Sequence, residues 1–239
     1  MTFTLLARCP KTGQVGIGIA TYSICVGLYC NGLRGNTGAT MTQAFVNQGN
    51  NPLALKLLAQ GYMPQHVLDE LQANDPYHEY RQIAVIDRVG RTVAYSGPKN
   101  RGWAGHKVGE GYVAMGNVLA GEQVIDAMAK AYEGTTDLAF ERRLLAAIEA
   151  GRDAGGQAGN DGPLAERSAA VMVYGDYDHA ELDLRVDLHD TAVEELRRAF
   201  EEYELYRGYY KERSKNPKDA MPQYAFVQSL AKGKKEAAQ

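Results

Sequence analysis

The sequence predicts an α+β fold in which helices cover largely antiparallel sheets. Strand-like runs come in groups that are joined by short, turn-rich segments, a pattern typical of antiparallel hairpins. A pair of predicted helices separates one group of strands from the next, and this happens twice along the chain. The composition, with 45% hydrophobic and 23% charged residues, is that of an ordinary globular protein. Such blocks favour layered sheets and helices over a doubly wound parallel sheet.

The first predicted element is a hairpin made of strands over 2–8 and 15–21, which a turn-rich segment over 10–13 joins. The second strand carries large and very small side chains on opposite faces: Val15, Ile17 and Ile19 on one, and Gly16, Gly18 and Ala20 on the other. We therefore expect another element to pack closely on the small face.

A third strand, over 38–42, leads through a turn at 43–47 into the first pair of helices. The pair Asn51-Pro52 is typical of a helix start, with Asn as the cap and Pro in the first turn, and Gly61 marks the end. A second helix is predicted from Pro64, with an apolar face formed by Val67, Leu68 and Leu71.

The rest of the chain repeats the alternation of strands and helices. We predict a hairpin over 81–87 and 91–95, and a short buried strand over 112–115 that breaks at Gly116-Asn117. Two helices follow near 121–133 and 137–150, ended by Gly134 and Gly151. Strands over 168–174 and 182–188 and a helix after the capping box Thr191–Glu194 complete the fold.

The pattern of alternating elements ends near Tyr206. The segment from 207 to 239 is charged and polar with isolated aromatic residues, and it is too short to form a further domain. We expect one domain over 1–206 and an arm over 207–239. This arm either packs on a neighbouring subunit or is a partly disordered tail.

The composition excludes several classes of function. A formal net charge of -3 provides no basic surplus for binding nucleic acid, and no apolar run approaches the ~20 residues that cross a membrane. No secretion leader opens the sequence and the 3 cysteines lack metal-ligand spacing, so we expect a cytoplasmic protein. Motifs for metal, phosphate or dinucleotide binding are absent, so we expect neither a cofactor nor a metal.

Thr2 is the first candidate for chemistry. It follows Met1, and a small second residue favours removal of the initiator Met, which would make Thr2 the N-terminus. A free N-terminal Thr carries a nucleophilic hydroxyl and an α-amine that titrates near ~7.7–8.0, so the amine can act as the base. Many chains begin with Met-Thr for no catalytic reason, so the rest of the sequence has to support this interpretation.

Several segments together resemble one family, domain of unknown function 1028, from residue 2 to about residue 200. These segments are Met1–Leu5, Gly16–Ala20, Thr42–Ala44, Arg81-Gln82, Ala104–His106 with Val108-Gly109, Gly111-Tyr112 with Gly116-Asn117, and Asp183–Asp187. That family resembles the N-terminal-nucleophile (Ntn) hydrolases, which include proteasome β subunits and several amidases. The resemblance implies a four-layer αββα sandwich, with two antiparallel sheets between two helix layers.

The same resemblance implies an active site built from three places. Thr2 would be the nucleophile at the start of a central strand. The turn from Gln43 to Asn47 would offer backbone N–H groups to a developing oxyanion, and one such donor contributes about 3–4 kcal/mol. The break at Gly116-Asn117 would lie beside the amino terminus, where Asn117 would orient the Thr2 amine or bind the substrate carbonyl.

Tyr22, Ser23 and His106 complete the candidate substrate-binding residues. Ser23 would support the Thr2 amine or, equally, complete a turn, and His106 is placed by the resemblance although a loop histidine is more often a surface residue. The family commonly has a Lys where this chain has Tyr22, and Gly-Gly-Asp where it has Gly155-Gly156-Gln157. A Lys would help to lower the pKa of the terminal amine, whereas Tyr22 adds one hydrogen bond and no charge.

Other polar residues have plain structural interpretations. Gln43 and Asn47 would equally well cap the following helix, and an exposed cross-strand pair explains Gln82. Asp183, Arg185, Asp187 and His189 alternate onto one face of a strand. A divalent metal held there together with His106 is one interpretation, but we favour a solvated face on which Arg185 neutralises the acids.

The leading functional hypothesis is an Ntn amidohydrolase that cleaves a small amide or related C–N bond, with Thr2 as nucleophile and its own α-amine as base. The alternative is a non-catalytic ligand-binding or scaffold protein on the same fold. A metal-dependent hydrolase ranks third. The aromatic residues of the arm and the implied fold suggest a homodimer or a higher homo-oligomer.

Overall fold

The computed structural model describes residues 1–236 and divides into two units, Met1–Arg197 and Arg198–Gln239. The strands are β1 Thr2–Arg8, β2 Val15–Thr21, β3 Asn31–Arg34, β4 Gly38–Ala44, β5 Arg81–Asp87, β6 Thr92–Ser96, β7 Trp103–Gly109, β8 Tyr112–Leu119, β9 Gln157–Gly159, β10 Gly162–Leu164, β11 Ser168–Tyr174 and β12 Ala180–Val186. The helices are α1 Val26–Tyr29, α2 Asn50–Ala59, α3 Pro64–Ala73, α4 Glu122–Gly134, α5 Phe140–Asp153, α6 Ala192–Lys215 and α7 Gln223–Glu236.

The strands of the first unit form two antiparallel sheets. The larger sheet has the order β10-β9-β8-β1-β2-β11-β12, and β7 pairs with β8. The smaller sheet has the order β3-β4-β5-β6. The first strand of the chain therefore lies in the middle of the larger sheet, between β2 and β8, and the predicted antiparallel sheets are confirmed.

The two sheets are packed face to face between two helix layers. Helices α4 and α5 lie on the outer face of the larger sheet, and α2 and α3 lie on the outer face of the smaller one. The inner faces of the sheets share a hydrophobic core that includes Leu6, Ile17, Met41, Ile86 and Met115. This is the four-layer αββα sandwich that the resemblance implied.

The small face of β2 is where α5 packs. A Cβ on Gly18 would lie 2.7 Å from both Ile148 Cγ1 and the Leu144 carbonyl oxygen, and one on Gly16 would lie 2.8 Å from Leu144 Cδ1. Because only glycine leaves room for the helix at these positions, the predicted close packing is confirmed. The large side chains of the other face enter the core between the sheets.

Two boundaries that were predicted at glycines are wrong. Strand β8 does not break at Gly116-Asn117 but continues to Leu119, because β1 and β7 hold it in register from both sides. Helix α5 passes through Gly151, which lies where a Cβ would be 2.8 Å from Met128 Cγ, so this glycine serves helix packing. Strands β3, β7, β9 and β10 were not predicted, since their sequences are rich in glycine and polar residues.

The second unit is helical in its described part. Helix α6 continues beyond residue 206 to Lys215, and α7 begins at Gln223. Tyr209 and Phe226 stack with ring centroids 4.1 Å apart, which joins the two helices. Residues 237–239, at the end of the predicted arm, lie outside the described residues. Within residues 1–236, no helix is both long and apolar enough to cross a membrane.

Candidate active site

Thr2 lies at the head of the central strand, on the face that points between the sheets. Alternation along β1 places Thr2 and Thr4 on the same face as Leu6, which belongs to the core between the sheets. Asn117 of β8 stands opposite Thr2 in the strand register. On the other side, Thr2 Oγ1 lies 3.3 Å from Thr21 Oγ1 of β2. Thr2 thus has polar neighbours on both flanking strands.

Met1 covers this threonine. The Thr2 hydroxyl donates a hydrogen bond of 2.5 Å to the Met1 carbonyl oxygen, and the Thr21 hydroxyl donates to the same oxygen. Thr2 is only 6% exposed, whereas Met1 is 36% exposed and lines a cleft of about 550 Å³. The nucleophile candidate is therefore buried next to Met1, which itself lines the cleft.

The cleft has walls from both sheets. One wall comes from the end of β4, with Ala44 and Phe45, and from the loop that carries Arg101. The other wall comes from the end of β8, with Asn117, and from the β9 region, Ala158–Asn160. This cavity has the size and mixed polarity of a site for a small molecule.

Two residues with an unusual backbone conformation flank the cleft. Ala44 has a φ of 71° and Val118 a φ of 56°, and both line the cleft. A positive φ is disfavoured for any residue with a Cβ and is an outlier for a β-branched residue such as Val118. Such conformations cost about 1–3 kcal/mol and cluster at functional sites. Their position indicates that this end of the sandwich is built for function.

A row of neutral polar side chains crosses the smaller sheet below the cleft. Gln43 of β4, Gln82 of β5 and Ser96 of β6 are paired in register. The Gln43 amide donates to Gln82 Oε1 at 3.0 Å, and the Gln82 amide donates to Ser96 Oγ at 2.8 Å. Gln43 and Gln82 are completely buried. We call these residues, with Asn117, the amide network.

The amide network joins the two sheets beneath Thr2. The Gln82 amide also donates to the Gly116 carbonyl oxygen at 2.8 Å, and the Asn117 amide donates to Gln82 Oε1 at 2.8 Å. The Thr4 hydroxyl donates to Gln43 Oε1 at 2.7 Å. Because every buried amide here has a partner, the network holds Asn117 in one orientation next to the amino terminus.

His106 lies at the end of this row but outside the cleft. It belongs to β7, and its Nδ1 lies 2.9 Å from Ser96 Oγ. Partial burial lowers the pKa of the imidazole, which favours its neutral form. His106 lines a separate cavity of about 360 Å³ together with Trp103 and Asp126.

Asn47 belongs to a different polar cluster. Its amide donates to Asp75 Oδ2 at 2.9 Å, and its own oxygen accepts from the Gly49 N–H. Arg81 Nε also lies 2.9 Å from Asp75 Oδ2. Burial would raise the pKa of Asp75, but hydrogen bonds from Arg81, Asn47 and the Tyr77 N–H lower it to about 2. The structure therefore brings Gln43 to Thr2 and leaves Asn47 on the opposite face of the smaller sheet.

The expected turn at 43–47 is not a turn at its start. Gln43 and Ala44 are the last residues of β4, and it is the Gln43 side chain that approaches Thr2, with its amide 3.5 Å from the Thr2 carbonyl oxygen. The Phe45 N–H is already bonded to the Tyr80 carbonyl oxygen. The Phe45 N–H is therefore not free to stabilise an oxyanion, in contrast to the expectation for residues 43–47.

Tyr22 and Ser23 lie just beyond the end of β2. The Tyr22 N–H donates to Gln157 Oε1 at 2.5 Å, and the Ser23 N–H donates to Thr21 Oγ1 at 3.2 Å. The Tyr22 ring lies beneath the Arg167 guanidinium. Positions 22 and 157, at which the chain departs from the family pattern, are thus in direct contact, and both carry neutral side chains here.

The terminal amine is partly desolvated. Burial lowers the pKa of the Met1 α-amine, and the nearby Cys30 thiol opposes this by raising it. Since Thr2 lies deeper than Met1, the same cause would act on a terminal amine at Thr2.

The acidic strand face near the end of the first unit is neutralised by its own arginine. Arg185 binds Asp183 through two hydrogen bonds of 2.7 Å, as the favoured interpretation predicted. Among the described residues, no group of three or more His, Cys, Asp or Glu side chains is placed to hold a metal ion.

The sequence interpretation of Gln82 is wrong. It is not part of an exposed pair but the centre of the amide network. Gln82 shares a face of β5 with Ala84 and Ile86, which lie in the core between the sheets. This alternation was the signal in the sequence that could have shown that Gln82 is buried. Arg101 was not singled out, because a charged residue in a loop carries no sequence pattern.

A sandwich of two antiparallel sheets between helix layers, with the amino terminus at the head of a central strand under a cleft, defines the Ntn-hydrolase-like fold class. The chain belongs to the family of unknown function DUF1028, whose model matches residues 2–196.

Comparison with solved structures gives matches at several levels of similarity. The crystal structure of a DUF1028 protein from Silicibacter pomeroyi is 31% identical, covers 84% of this chain and 85% of that chain, and has a TM-score of 0.76. HslV from Trypanosoma brucei matches at 11% identity over 74% of this chain and 99% of that chain, with a TM-score of 0.44. Anbu (ancestral beta-subunit) from Yersinia bercovieri matches at 11% identity over 85% and 95%, with a TM-score of 0.38. No curated protein matches the chain.

Proposed function

We propose that the protein is an Ntn-type amidohydrolase that becomes competent when Met1 is removed. The observation that carries this proposal is the position of Thr2, which lies at the head of the central strand and is hydrogen-bonded to the carbonyl of Met1, a residue that lines the cleft. Removal of Met1 would place the Thr2 hydroxyl and a free α-amine on the same residue, facing the cleft.

The proposed reaction has two steps. The Thr2 hydroxyl passes its proton to the α-amine, and Oγ attacks the amide carbonyl to form an ester while the C–N bond breaks. The departing amine takes up the proton. Water then attacks the ester, the acid leaves and the Thr2 hydroxyl is restored.

The neighbours of Thr2 support this assignment. A lowered pKa leaves more of the α-amine unprotonated at neutral pH, and burial acts in that direction. Asn117, opposite Thr2, would orient the amine or bind the oxyanion, and the amide network fixes its side chain. Gln43 and Gly116 would help to hold Thr2 and Asn117 in position. Within the described residues, the other candidate residues form no hydrogen bond with Thr2, and any role in substrate binding would be at a greater distance: Asn47, Tyr22, Ser23 and His106.

The first experiment determines the intact mass and the N-terminal sequence, and then compares two variants on a panel of small amides. Thr2→Ala keeps a small second residue and the free amine but removes the hydroxyl. An uncleaved N-terminal extension keeps the hydroxyl but removes the adjacent amine. We expect both to lower turnover by at least about 10³-fold, and Thr2→Ser to retain measurable activity. Turnover that survives Thr2→Ala contradicts the proposal.

One observation favours the non-catalytic alternative. Among the described residues, the hydrogen-bond partners of the Thr2 hydroxyl are the Met1 carbonyl and Thr21, and neither can ionise near neutral pH. A ligand-binding protein that keeps Met1 would show an uncut N-terminus and no labelling by a probe for N-terminal Thr. The small-molecule amide substrate, the homo-oligomer and the cytoplasmic location stay predictions.

A further inference from the structure

The side chains that line the cleft include one that is charged. Of the residues that line it, Arg101 is the one with a charged side chain, and no acidic residue lines it among the part of the chain that the structure describes. The other lining groups are neutral, including the amides of Asn117 and Asn160. A ligand in this cleft therefore meets a single positive side chain.

Within the described residues, Arg101 has no acidic partner, in contrast to the nearby basic side chains. Lys99 is paired with Glu79, and Arg81 is paired with Asp75. The Arg101 guanidinium instead lies over the Phe45 ring, 5.1 Å from its centroid. Stacking on the ring face orients the guanidinium plane while its N–H groups remain available.

The loop that carries Arg101 is held in place on both sides. The Asn100 amide donates to the Gly97 carbonyl oxygen at 2.7 Å and to the Arg81 carbonyl oxygen at 3.2 Å. Gly102 has a φ of 61°, and a Cβ there would lie 3.1 Å from the Cα of Val118. The loop thus packs directly on the strained end of β8 and fixes Arg101 over the cleft.

We propose that the cleft takes small amides that carry a carboxylate, and that Arg101 binds that carboxylate while the amide carbonyl lies over Thr2. The assignment rests on the proposed function of Thr2. A planar guanidinium matches a carboxylate through two parallel hydrogen bonds. A phosphate would bring a charge of about -1.5 to -2, which one guanidinium does not neutralise. Because the terminal amine is assigned to the reaction as its base, Arg101 is the group left to bind an anionic substituent, which favours a carboxylate.

The test compares matched amides that differ only in charge. Succinamate and glutaramate carry one amide and one carboxylate, and succinamide and glutaramide replace the carboxylate with a second, neutral amide. With the Met1-processed protein, we expect a higher kcat/KM for the charged member of each pair. Arg101→Gln should lower kcat/KM for the charged substrates by about 100-fold, the effect of losing a charge-assisted pair, and leave the neutral diamides within about twofold.

Arg34→Gln is the matched control for the loss of one positive charge. Arg34 forms an ion pair with Asp178. It stands opposite Gly38, which is at the other end of β4 from Ala44. Arg34→Gln should leave kcat/KM unchanged for both substrate classes, and Arg101→Lys should retain part of the preference for charged substrates. An equal effect of Arg101→Gln on charged and neutral amides, or no effect on either, overturns the assignment.

A binding measurement separates this assignment from the proposed chemistry. Calorimetry on processed Thr2→Ala protein compares succinamate with succinamide, and does not need turnover. Preferential binding of succinamate that Arg101→Gln removes supports the carboxylate site even if the Thr2 mechanism fails. Equal binding of both amides, or no binding of succinamate at millimolar concentration, overturns the carboxylate site even if Thr2 proves to be the nucleophile.

Discussion

Arg81 and Gln82 are neighbours in β5, yet they belong to two polar clusters of opposite character. Gln82 points between the sheets, where all its partners are neutral: the Gln43 and Asn117 amides, Ser96 and backbone carbonyls. Arg81 points to the outer face of the smaller sheet and is ion-paired with Asp75. Successive residues of a strand face opposite sides of a sheet, so one step along the chain changes both the surroundings and the chemistry.

Both clusters hold the end of β4, where the cleft begins. Gln82 does so through the Gln43 side chain, and Arg81 does so through a hydrogen bond of 2.5 Å to the Phe45 carbonyl oxygen. Between the sheets, a charge would be costly because desolvation is complete, whereas hydrogen-bonded amides are tolerated. On the outer face, Arg81 keeps 13% of its side-chain surface in solvent. The comparison indicates that neutral groups position the Thr2 site and that the Arg81–Asp75 ion pair lies on the outer face of the smaller sheet.

The largest expected effect of breaking this arrangement comes from Gln82→Leu. The substitution removes the shared partner of Gln43 and Asn117 and leaves several buried polar groups unpaired. Each unpaired group costs about 1–3 kcal/mol, so we expect a loss of about 3–5 kcal/mol in the free energy of unfolding. Urea denaturation measures it. Gln65→Leu, on the exposed surface of α3, is the control; equal values for the two variants would show that the network adds no stability.

Asp75→Asn, in the charged cluster, should lower the free energy of unfolding by less than Gln82→Leu does. It leaves Arg81 without its counter-ion at a position where the two side chains are 13% and 3% exposed. We expect a loss of about 2–3 kcal/mol in unfolding free energy, because the pair is mostly desolvated. Asp178→Asn breaks an ion pair whose Asp is 73% exposed and should cost no more than about 1 kcal/mol. A cost at Asp75 as small as that at Asp178 would contradict the buried pairing.

The smallest expected effect is the pH dependence of the same cluster. The pKa of Asp75 falls from 3.8 to about 2 on folding. A depressed folded-state pKa gives stability that is present above the unfolded value and is lost as pH falls toward the folded value. At about 1.36 kcal/mol per pH unit, this amounts to about 2 kcal/mol lost between about pH 4 and pH 2. In Asp75→Asn, the free energy of unfolding should fall less between these pH values, by the same amount. Identical slopes in the two proteins would rule the effect out.

Much of the fold follows from local patterns in the sequence. The alternation of β2 predicted its two faces and the close packing of another element on the small face, and in the structure that element is α5. The apolar face of α3 was predicted from its helical spacing, and Val67, Leu68 and Leu71 are buried. The break at Gly116-Asn117 was wrong because glycine was interpreted locally, whereas two partner strands keep β8 extended through it.

The candidate site could be predicted only in part. The position of Thr2 after Met1 and the family resemblance directed attention to the amino terminus and to Asn117, which lie opposite each other in the structure. Gln82, Phe45 and Arg101 could not be connected to Thr2 from the sequence, since they come from strands and loops that are distant along the chain. Their roles depend on which strands are neighbours and on the register between them.

The sequence by itself determined the alternating blocks of strands and helices and the faces of β2, because both depend on neighbours along the chain. Only the tertiary structure decided that Gln43, Gln82 and Ser96 form one row, that Asn117 faces Thr2, and that Arg101 lies over the cleft. The physical reason is that sheet register and the packing of two sheets fix distances between residues that are far apart in sequence, and hydrogen bonds and charges act over those distances.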